Sequence, residues 1–159
     1  MIEIGTAAAS DIPELVRLRL AYFDEEFGTL PPEKLTAIRE QLPLYFTAHL
    51  NRDCFCYTAK ADGTAHACAC AILCVTEKPA NPHFPNGKTG YVLGVFTEPE
   101  YRGQGCATRI MQHLIADAKR LGLDLVTLSA SDMGRPIYEK LGFTVSHSKF
   151  TEMELEIEK

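Results

Sequence analysis

The features that this sequence lacks exclude several classes of protein. No apolar run approaches about 18 residues, so we expect no membrane-spanning helix. The start, residues 1–4, has neither the basic nor the apolar region of a signal peptide, and we therefore expect a cytoplasmic protein. Basic residues are not in excess, since 16 lysines and arginines stand against 21 aspartates and glutamates, for a net charge of −5. Because a phosphate backbone demands a basic face, we expect no nucleic-acid partner.

The length and composition fit one globular domain. A chain of 159 residues can bury one substantial core, and we expect residues 1–159 to form a single domain. Apolar residues make up 46% and charged residues 23% of the chain, which is ordinary for a soluble protein. No internal repeat or low-complexity linker divides the chain.

The cysteines favour core packing over a metal site. Cys54 and Cys56 share one face of a predicted strand, and Cys68, Cys70 and Cys74 share one face of the next. Zinc ligands are usually spaced C-x₂₋₄-C on turns, whereas C-x-C within alanine-rich strands is typical of small core residues. We therefore expect no metal, with a thiol-rich metal-binding protein as an alternative.

The pattern of apolar residues and turn residues predicts the element order β-α-α-β-β-β-α-β-α-β-β. Pro43 lies inside the second predicted helix, 32–50, and predicts a kink or a division there. The strand–helix–strand unit over 91–129 implies that its two strands pair in parallel. Two final strands are predicted near Phe143–His147 and Phe150–Ile157.

A glycine-rich turn joins a predicted strand to a long amphipathic helix. Tyr91–Phe96 is an apolar run typical of a buried strand, and Pro99 ends it. Arg102, Gly103 and Gly105 follow, just before the helix begins. Unpaired N–H groups at the positive end of a helix dipole bind anions, most often phosphate. The turn is therefore a candidate phosphate site.

The spacing of the glycines distinguishes between kinds of phosphate site. A dinucleotide fingerprint needs a third glycine where Thr108 stands, and no G-K-[ST] triplet of a P-loop follows Gly105. The remaining pattern, Arg102-x-x-Gly105-x-Ala107, resembles the acetyl-CoA signature of the GNAT superfamily of N-acetyltransferases. Residues 95–103 also resemble that family's strand and turn. A glycine-rich turn without a ligand is the alternative.

A second segment carries the same resemblance. Gly134–Phe143 is similar to the GNAT segment in which a short helix carries a tyrosine, here Tyr138, and ends in Leu-Gly-Phe. Ser131 stands where many members have an asparagine that touches the pantetheine arm. The resemblance covers 91–143 closely and 1–90 only in element order. It implies a single-domain α/β GNAT-like fold, with a mixed, mostly antiparallel twisted sheet and helices on both faces.

The resemblance also implies an activity and a set of site residues. The family transfers an acetyl group from acetyl-CoA directly to an amine, and a slightly larger acyl-CoA is an open alternative here. Tyr138 is implied to be the catalytic acid, because a phenol of pKa ~10 can protonate a thiolate whose acid is near ~8.5. A core tyrosine anchoring its helix is the alternative role. The implied coenzyme A contacts are Val95, Phe96, Thr97, Arg102, Gly103, Gln104, Gly105, Cys106, Ala107, Thr108 and Ser131.

The base that activates the amine is left open by the sequence. An alkyl amine of pKa about 10.4 is neutral roughly one time in 2,500 at pH 7, so a base or a relayed water is expected. Glu98 lies near the predicted cofactor strand, although its turn is expected to face solvent. The other candidates are Asp24, Glu25, Glu26, Glu77 and His83.

The acceptor is equally open. A small-molecule amine is the expected partner, with a protein amine as its rival, and a homodimer is compatible with the sequence. The alternative function is a catalytically inactive acyl-CoA-binding sensor or partner-binding module.

Overall fold

A computed structural model of the protein describes residues 1–158. Its strands and helices follow in the order β1 (Ile2–Thr6), α1 (Ile12–Phe27), α2 (Pro32–His49), β2 (Cys54–Ala61), β3 (Ala67–Glu77), β4 (Lys88–Thr97), α3 (Cys106–Arg120), β5 (Leu125–Leu128) and α4 (Arg135–Lys140). The strands form one sheet in chain order. Pairing is antiparallel from β1 to β4 and parallel between β4 and β5. The predicted α/β class and mostly antiparallel sheet are confirmed.

Helices cover both faces of the sheet. Successive strand residues point to opposite faces, so Tyr57 and Ala59 pack with α3, whereas Cys54 and Cys56 pack with α1 and α2. The fully buried Tyr57 donates a 2.8 Å hydrogen bond from its hydroxyl to Oδ2 of Asp117, which ties α3 to β2. No helix within residues 1–158 has both the length and the apolar character needed to cross a membrane.

The predicted core position of the cysteines is confirmed. Cys54, Cys56, Cys68 and Cys70 are buried, and Cys74 is half-buried. Burial raises the pKa of the Cys68 thiol to about 11 and that of Cys70 to about 12. Both thiols therefore stay protonated at neutral pH. Residues 1–158 contain no group of three or more His, Cys, Asp or Glu side chains placed to hold a metal ion.

The second helix is continuous through Pro43, so the division that the sequence allowed is wrong. Proline removes one helical hydrogen bond, but Leu42 and Phe46 on either side of it are buried against the sheet. Tertiary packing of an apolar face outweighs the local cost of the missing bond.

The two final strands, Phe143–His147 and Phe150–Ile157, are wrong as predictions. Residues 143–158 contain no strand. The alternation of apolar residues with glutamates indicates only that a strand formed by this segment would have one apolar face. A strand also needs the free edge of another strand with which to pair. In the structure these apolar side chains are exposed instead, with Phe150 and Ile157 each at 72%.

A bulge in β4 separates this strand from β5. The register slips between Cys70 and Ile72 of β3, so that Gly94 and Val95 of β4 face the single residue Ala71. Gly94 has a φ of +62°, a left-handed conformation that glycine adopts without steric cost. Strand β5 pairs only with the part of β4 before the bulge. Beyond the bulge, β4 keeps one backbone edge to which no strand of residues 1–158 is paired.

Candidate active site

A cleft of about 770 Å³ lies where β4 and β5 separate. Its walls come from the second half of β4, the glycine-rich turn, the end of α1 and the segment that leads into α4. Gln104 is the predicted site residue that does not line it, and its side chain reaches the Glu100 carbonyl oxygen at 3.5 Å instead. The predicted residues that do line the cleft are Val95, Phe96, Thr97, Arg102, Gly103, Gly105, Cys106, Ala107, Thr108, Ser131 and Tyr138.

The turn between β4 and α3 presents a row of free N–H groups. Gly103 and Gly105 both have a φ of +80°, and Gly105 is the N-cap of α3 without a side-chain cap. Within residues 1–158, no acceptor is bound by the backbone N–H groups of 103–108, and the next one, that of Arg109, donates to the Gly105 carbonyl oxygen at 3.0 Å. Unpaired N–H groups at the start of a helix form an anion site.

The side chain of Arg102 is bound to other residues of the protein. Its Nε donates to the Thr97 carbonyl oxygen at 2.9 Å, and its Nη2 donates to Oε2 of Glu25 at 2.7 Å. Its own backbone N–H donates to the Pro99 carbonyl oxygen at 3.3 Å, so the free row begins at Gly103. The hydrogen bond from Arg102 also lowers the pKa of the Glu25 carboxyl. The side chain of Arg102 thus joins the turn to the end of α1.

An ion-pair cluster ties α1 to the start of β3 and to the residue that follows β4. Arg17 donates to Oε2 of Glu14 at 2.7 Å and to Oε2 of Glu98 at 3.0 Å. Nε2 of His66 lies 2.5 Å from Oε1 of Glu98. The Glu98 side chain is only 15% exposed, so the expected solvent-facing position is wrong. With both oxygens occupied, Glu98 is poorly placed to act as the base.

This cluster should make the stability of the protein sensitive to acid. The hydrogen bond from Arg17 holds the pKa of the Glu14 carboxyl below its usual 4.5, and the Ala67 N–H adds to this effect while burial opposes it. A carboxyl whose pKa is lowered by folding stabilises the native state above its unfolded pKa and loses that contribution as the pH falls. We therefore expect Glu14→Gln to lower the free energy of unfolding at pH 7 and to flatten its decline below about pH 5.

Urea unfolding of wild type and Glu14→Gln at a series of pH values measures this effect. Glu40→Gln, at an exposed position of α2, is the matched control and should keep the wild-type pH profile. A Glu14→Gln profile that parallels that of wild type would refute the stabilising role of this carboxylate.

Tyr138 stands on α4 between the cleft and an apolar hollow along β5. Its ring packs edge-on against Phe143, with the ring centroids 6.0 Å apart, and a Cβ at Gly134 would lie 3.0 Å from it. Its hydroxyl makes no hydrogen bond within residues 1–158, whereas the nearby Ser131 hydroxyl accepts one from the Gly134 N–H at 3.1 Å. Burial raises the pKa of Tyr138, so its phenol carries a proton at neutral pH.

Of the remaining candidates for the base, some line the cleft and others do not. Glu25 and Glu26 line the cleft, whereas Asp24 does not. Glu77 ends β3 and His83 lies in the loop that follows, and neither lines the cleft.

Two features of the cleft were missed from the sequence. Gly94 forms the bulge, and an isolated glycine inside an apolar strand was the available signal for it. Tyr22 lines the cleft from α1, but its place in the apolar stripe of that helix gave no sign of this.

The family of the chain is decided by residues 12–143, which match the model of the Acetyltransferase (GNAT) family. The chain belongs to the GNAT acetyltransferase family. The resemblance stated from the two sequence segments is therefore confirmed, and the matched range contains both the glycine-rich turn and Tyr138.

Similar proteins place this GNAT chain among acetyltransferases. A predicted acetyltransferase from Clostridium acetobutylicum, solved with acetyl-CoA, is 29% identical with a TM-score of 0.81, over 97% of this chain and 96% of that one. A GCN5-related N-acetyltransferase from Ralstonia eutropha JMP134 is 25% identical with a TM-score of 0.81, over 99% of both chains. A glucosamine 6-phosphate N-acetyltransferase of Trypanosoma brucei brucei is 34% identical over 64 residues, which cover 39% of this chain and 44% of that protein.

Proposed function

We propose that this GNAT chain transfers the acetyl group of acetyl-CoA to a primary amine of a small molecule by direct attack. The observation that carries the proposal is the row of free N–H groups at 103–108, set beside the open edge of β4 in one cleft. The nearly full-length similarity to a protein solved with acetyl-CoA supports the same cosubstrate here.

The residues of the cleft have distinct tasks in this proposal. The N–H groups of 103–108 bind the diphosphate of coenzyme A, because they are unpaired and lie at the positive end of the α3 dipole. The open edge of β4 from Val95 to Thr97 holds the pantetheine arm as an added strand would be held, with Ser131 on the facing wall. A backbone N–H of the same edge polarises the thioester carbonyl, a type of stabilisation usually worth about 3 kcal/mol.

Tyr138 supplies the proton that the departing thiolate needs. Its phenol remains protonated at neutral pH, and its hydroxyl is not committed to another group within residues 1–158. Because the phenol is a weaker acid than the thiol it produces, this proton transfer is uphill, and the phenolate left behind takes up the proton that the amine releases on attack.

The acceptor must arrive as a cation and react as a neutral amine. Glu25 and Glu26 line the cleft at the end of α1; Arg102 neutralises the charge of Glu25, and the charge of Glu26, which has no ion-pair partner within residues 1–158, attracts an ammonium group. The relative from Trypanosoma brucei brucei makes glucosamine 6-phosphate the first acceptor to test. We also propose that residues 1–159 form one N-acyltransferase domain in the cytoplasm, where the six free cysteines stay reduced.

Release of free thiol from acetyl-CoA in the presence of an amine tests the proposal. The panel contains glucosamine 6-phosphate, glucosamine, an amino acid with its amide, and a lysine-containing peptide for the protein-amine class. We expect thiol release equal to the amount of N-acetylated product found by mass spectrometry. If calorimetry shows that acetyl-CoA binds but no amine raises release above hydrolysis, the chain is a binding module. If acetyl-CoA does not bind, the assignment of the cleft is refuted.

A further inference from the structure

Arg19 on α1 is a half-buried arginine that no acid neutralises within residues 1–158. Its neighbours in the same region are paired, since Arg17 binds Glu14 and Arg102 binds Glu25. The guanidinium of Arg19 forms no ion pair and donates no hydrogen bond within the described residues. A guanidinium that is partly removed from water and left unpaired is costly, and a bound anion removes that cost.

The position of this guanidinium is set by two aromatic rings and one glycine. Its central carbon lies 4.7 Å from the ring centroid of Phe23 and 5.8 Å from that of Tyr22, which is cation–π geometry. Its Nη1 lies 2.8 Å from the place where a Cβ at Gly94 would stand. Glycine at the bulge therefore leaves room for the charge. Gly94 and Tyr22 line the cleft, whereas Arg19 itself does not, so its guanidinium lies next to the cleft and not in its wall.

Arg19 stands apart from the row of N–H groups that would hold the diphosphate. It reaches β4 from α1 at the bulge, where the open edge of the strand begins, whereas the row belongs to the start of α3. A guanidinium offers a planar fork of donors that matches carboxylate and phosphate oxygens. The charge is thus placed for an anionic group that reaches the bulge from the side of α1.

We propose that Arg19 binds a carboxylate or phosphate group of the acceptor, so that the acceptor is an amine that also carries negative charge. This inference rests on the proposed acetyl transfer and specifies its substrate class. Arg19 is a specificity residue in this scheme, acting on acceptor binding rather than on the reacting atoms. Its removal should therefore raise KM for acceptors that carry an anionic group and leave turnover of acceptors without one in place.

Matched pairs of acceptors, alike in their amine and different in charge, test the inference. Glucosamine 6-phosphate is compared with glucosamine to probe phosphate, and alanine with alaninamide to probe carboxylate. We expect wild type to favour the member that carries the anionic group in at least one pair by about tenfold or more in kcat/KM, as one charge-assisted contact allows. In Arg19→Gln the kcat/KM values of the two members should come within about threefold of each other, through a higher KM for the member with the anionic group.

Two further variants sharpen the comparison. Arg19→Lys keeps the charge without the planar fork and should retain part of the preference. Arg39→Gln removes an exposed arginine of α2 and should keep the wild-type ratio. Thermal unfolding and acetyl-CoA binding are measured for every variant, so that a folding defect is recognised.

The outcomes separate this inference from the function on which it rests. If wild type acetylates acceptors with and without the anionic group equally well, or if Arg19→Gln lowers turnover of both members equally, the anchoring role is refuted while acetyl transfer stands. If acetyl-CoA binds and no amine of the panel is acetylated, acetyl transfer itself fails and the inference falls with it.

Discussion

Tyr138→Phe is expected to lower kcat by about a hundredfold or more and to leave the dissociation constant of acetyl-CoA within about a factor of three. The substitution removes only the hydroxyl, and the ring keeps its edge-on contact with Phe143. That hydroxyl binds no other group within residues 1–158, so its loss leaves no polar partner unsatisfied there. The expected loss is therefore one of proton donation to the thiolate and not of packing.

The pH dependence of kcat gives a second readout of the same role. Burial raises the pKa of Tyr138 above its usual 10.0, so the acid form persists throughout the neutral range. A decline of kcat caused by loss of this proton is expected only above about pH 10 in wild type, and it should be absent from the variant. The rise of kcat at lower pH, which reports deprotonation of the amine, should remain in both.

Tyr45→Phe is the matched control for this prediction. Tyr45 is also half-buried with a raised pKa, but it lies on α2 and its hydroxyl contacts the Cys74 sulfur at 3.5 Å. The kcat of the Tyr45→Phe variant should stay near that of wild type. If Tyr138→Phe weakens acetyl-CoA binding while its kcat is preserved, Tyr138 packs its helix and does not donate a proton.

Short-range chemistry made much of this molecule predictable. Local sequence determines the backbone conformation at three features: the apolar run from Tyr91 to Phe96, the strand end at Pro99, and the glycines at 103 and 105. Their structural effect can therefore be predicted from the adjacent residues in the sequence. The helix that follows the turn is predicted by the helical spacing of its apolar residues. These local signals were enough to indicate a candidate phosphate-binding turn and its kind.

Contacts between residues far apart in the sequence could not be predicted from these local signals. The bond from Arg17 to Glu98 joins residues 81 positions apart, and that from Arg102 to Glu25 spans 77 positions. Nothing in either neighbourhood states which acid an arginine will meet, so Glu98 was expected in solvent. Arg19 is the reverse case, because an arginine left without an acid is recognised only when every neighbour has been placed.

Gly105→Val is expected to weaken acetyl-CoA binding by about tenfold to a hundredfold, the range of one charge-assisted hydrogen bond. At a φ of +80° a β-branched residue is strained by roughly 1–2 kcal/mol, and the backbone relieves that strain by turning its peptide groups. The N–H groups of 105 and 106 would then no longer face the same anion. A Cβ at this position meets no atom within 4 Å, so the effect comes from backbone conformation and not from crowding.

Gly63→Val supplies the matched control for the strain itself. Gly63 has a φ of +70° and equally open surroundings, but it sits in the hairpin between β2 and β3 and does not line the cleft. Thermal unfolding should show a similar loss of stability in both variants, whereas calorimetric titration with acetyl-CoA should show weakened binding in Gly105→Val alone. If the two variants bind acetyl-CoA with equal affinity, the N–H groups of 103–108 do not hold the diphosphate. Strain at Gly105 would then change the stability of the protein without changing its binding of the cosubstrate.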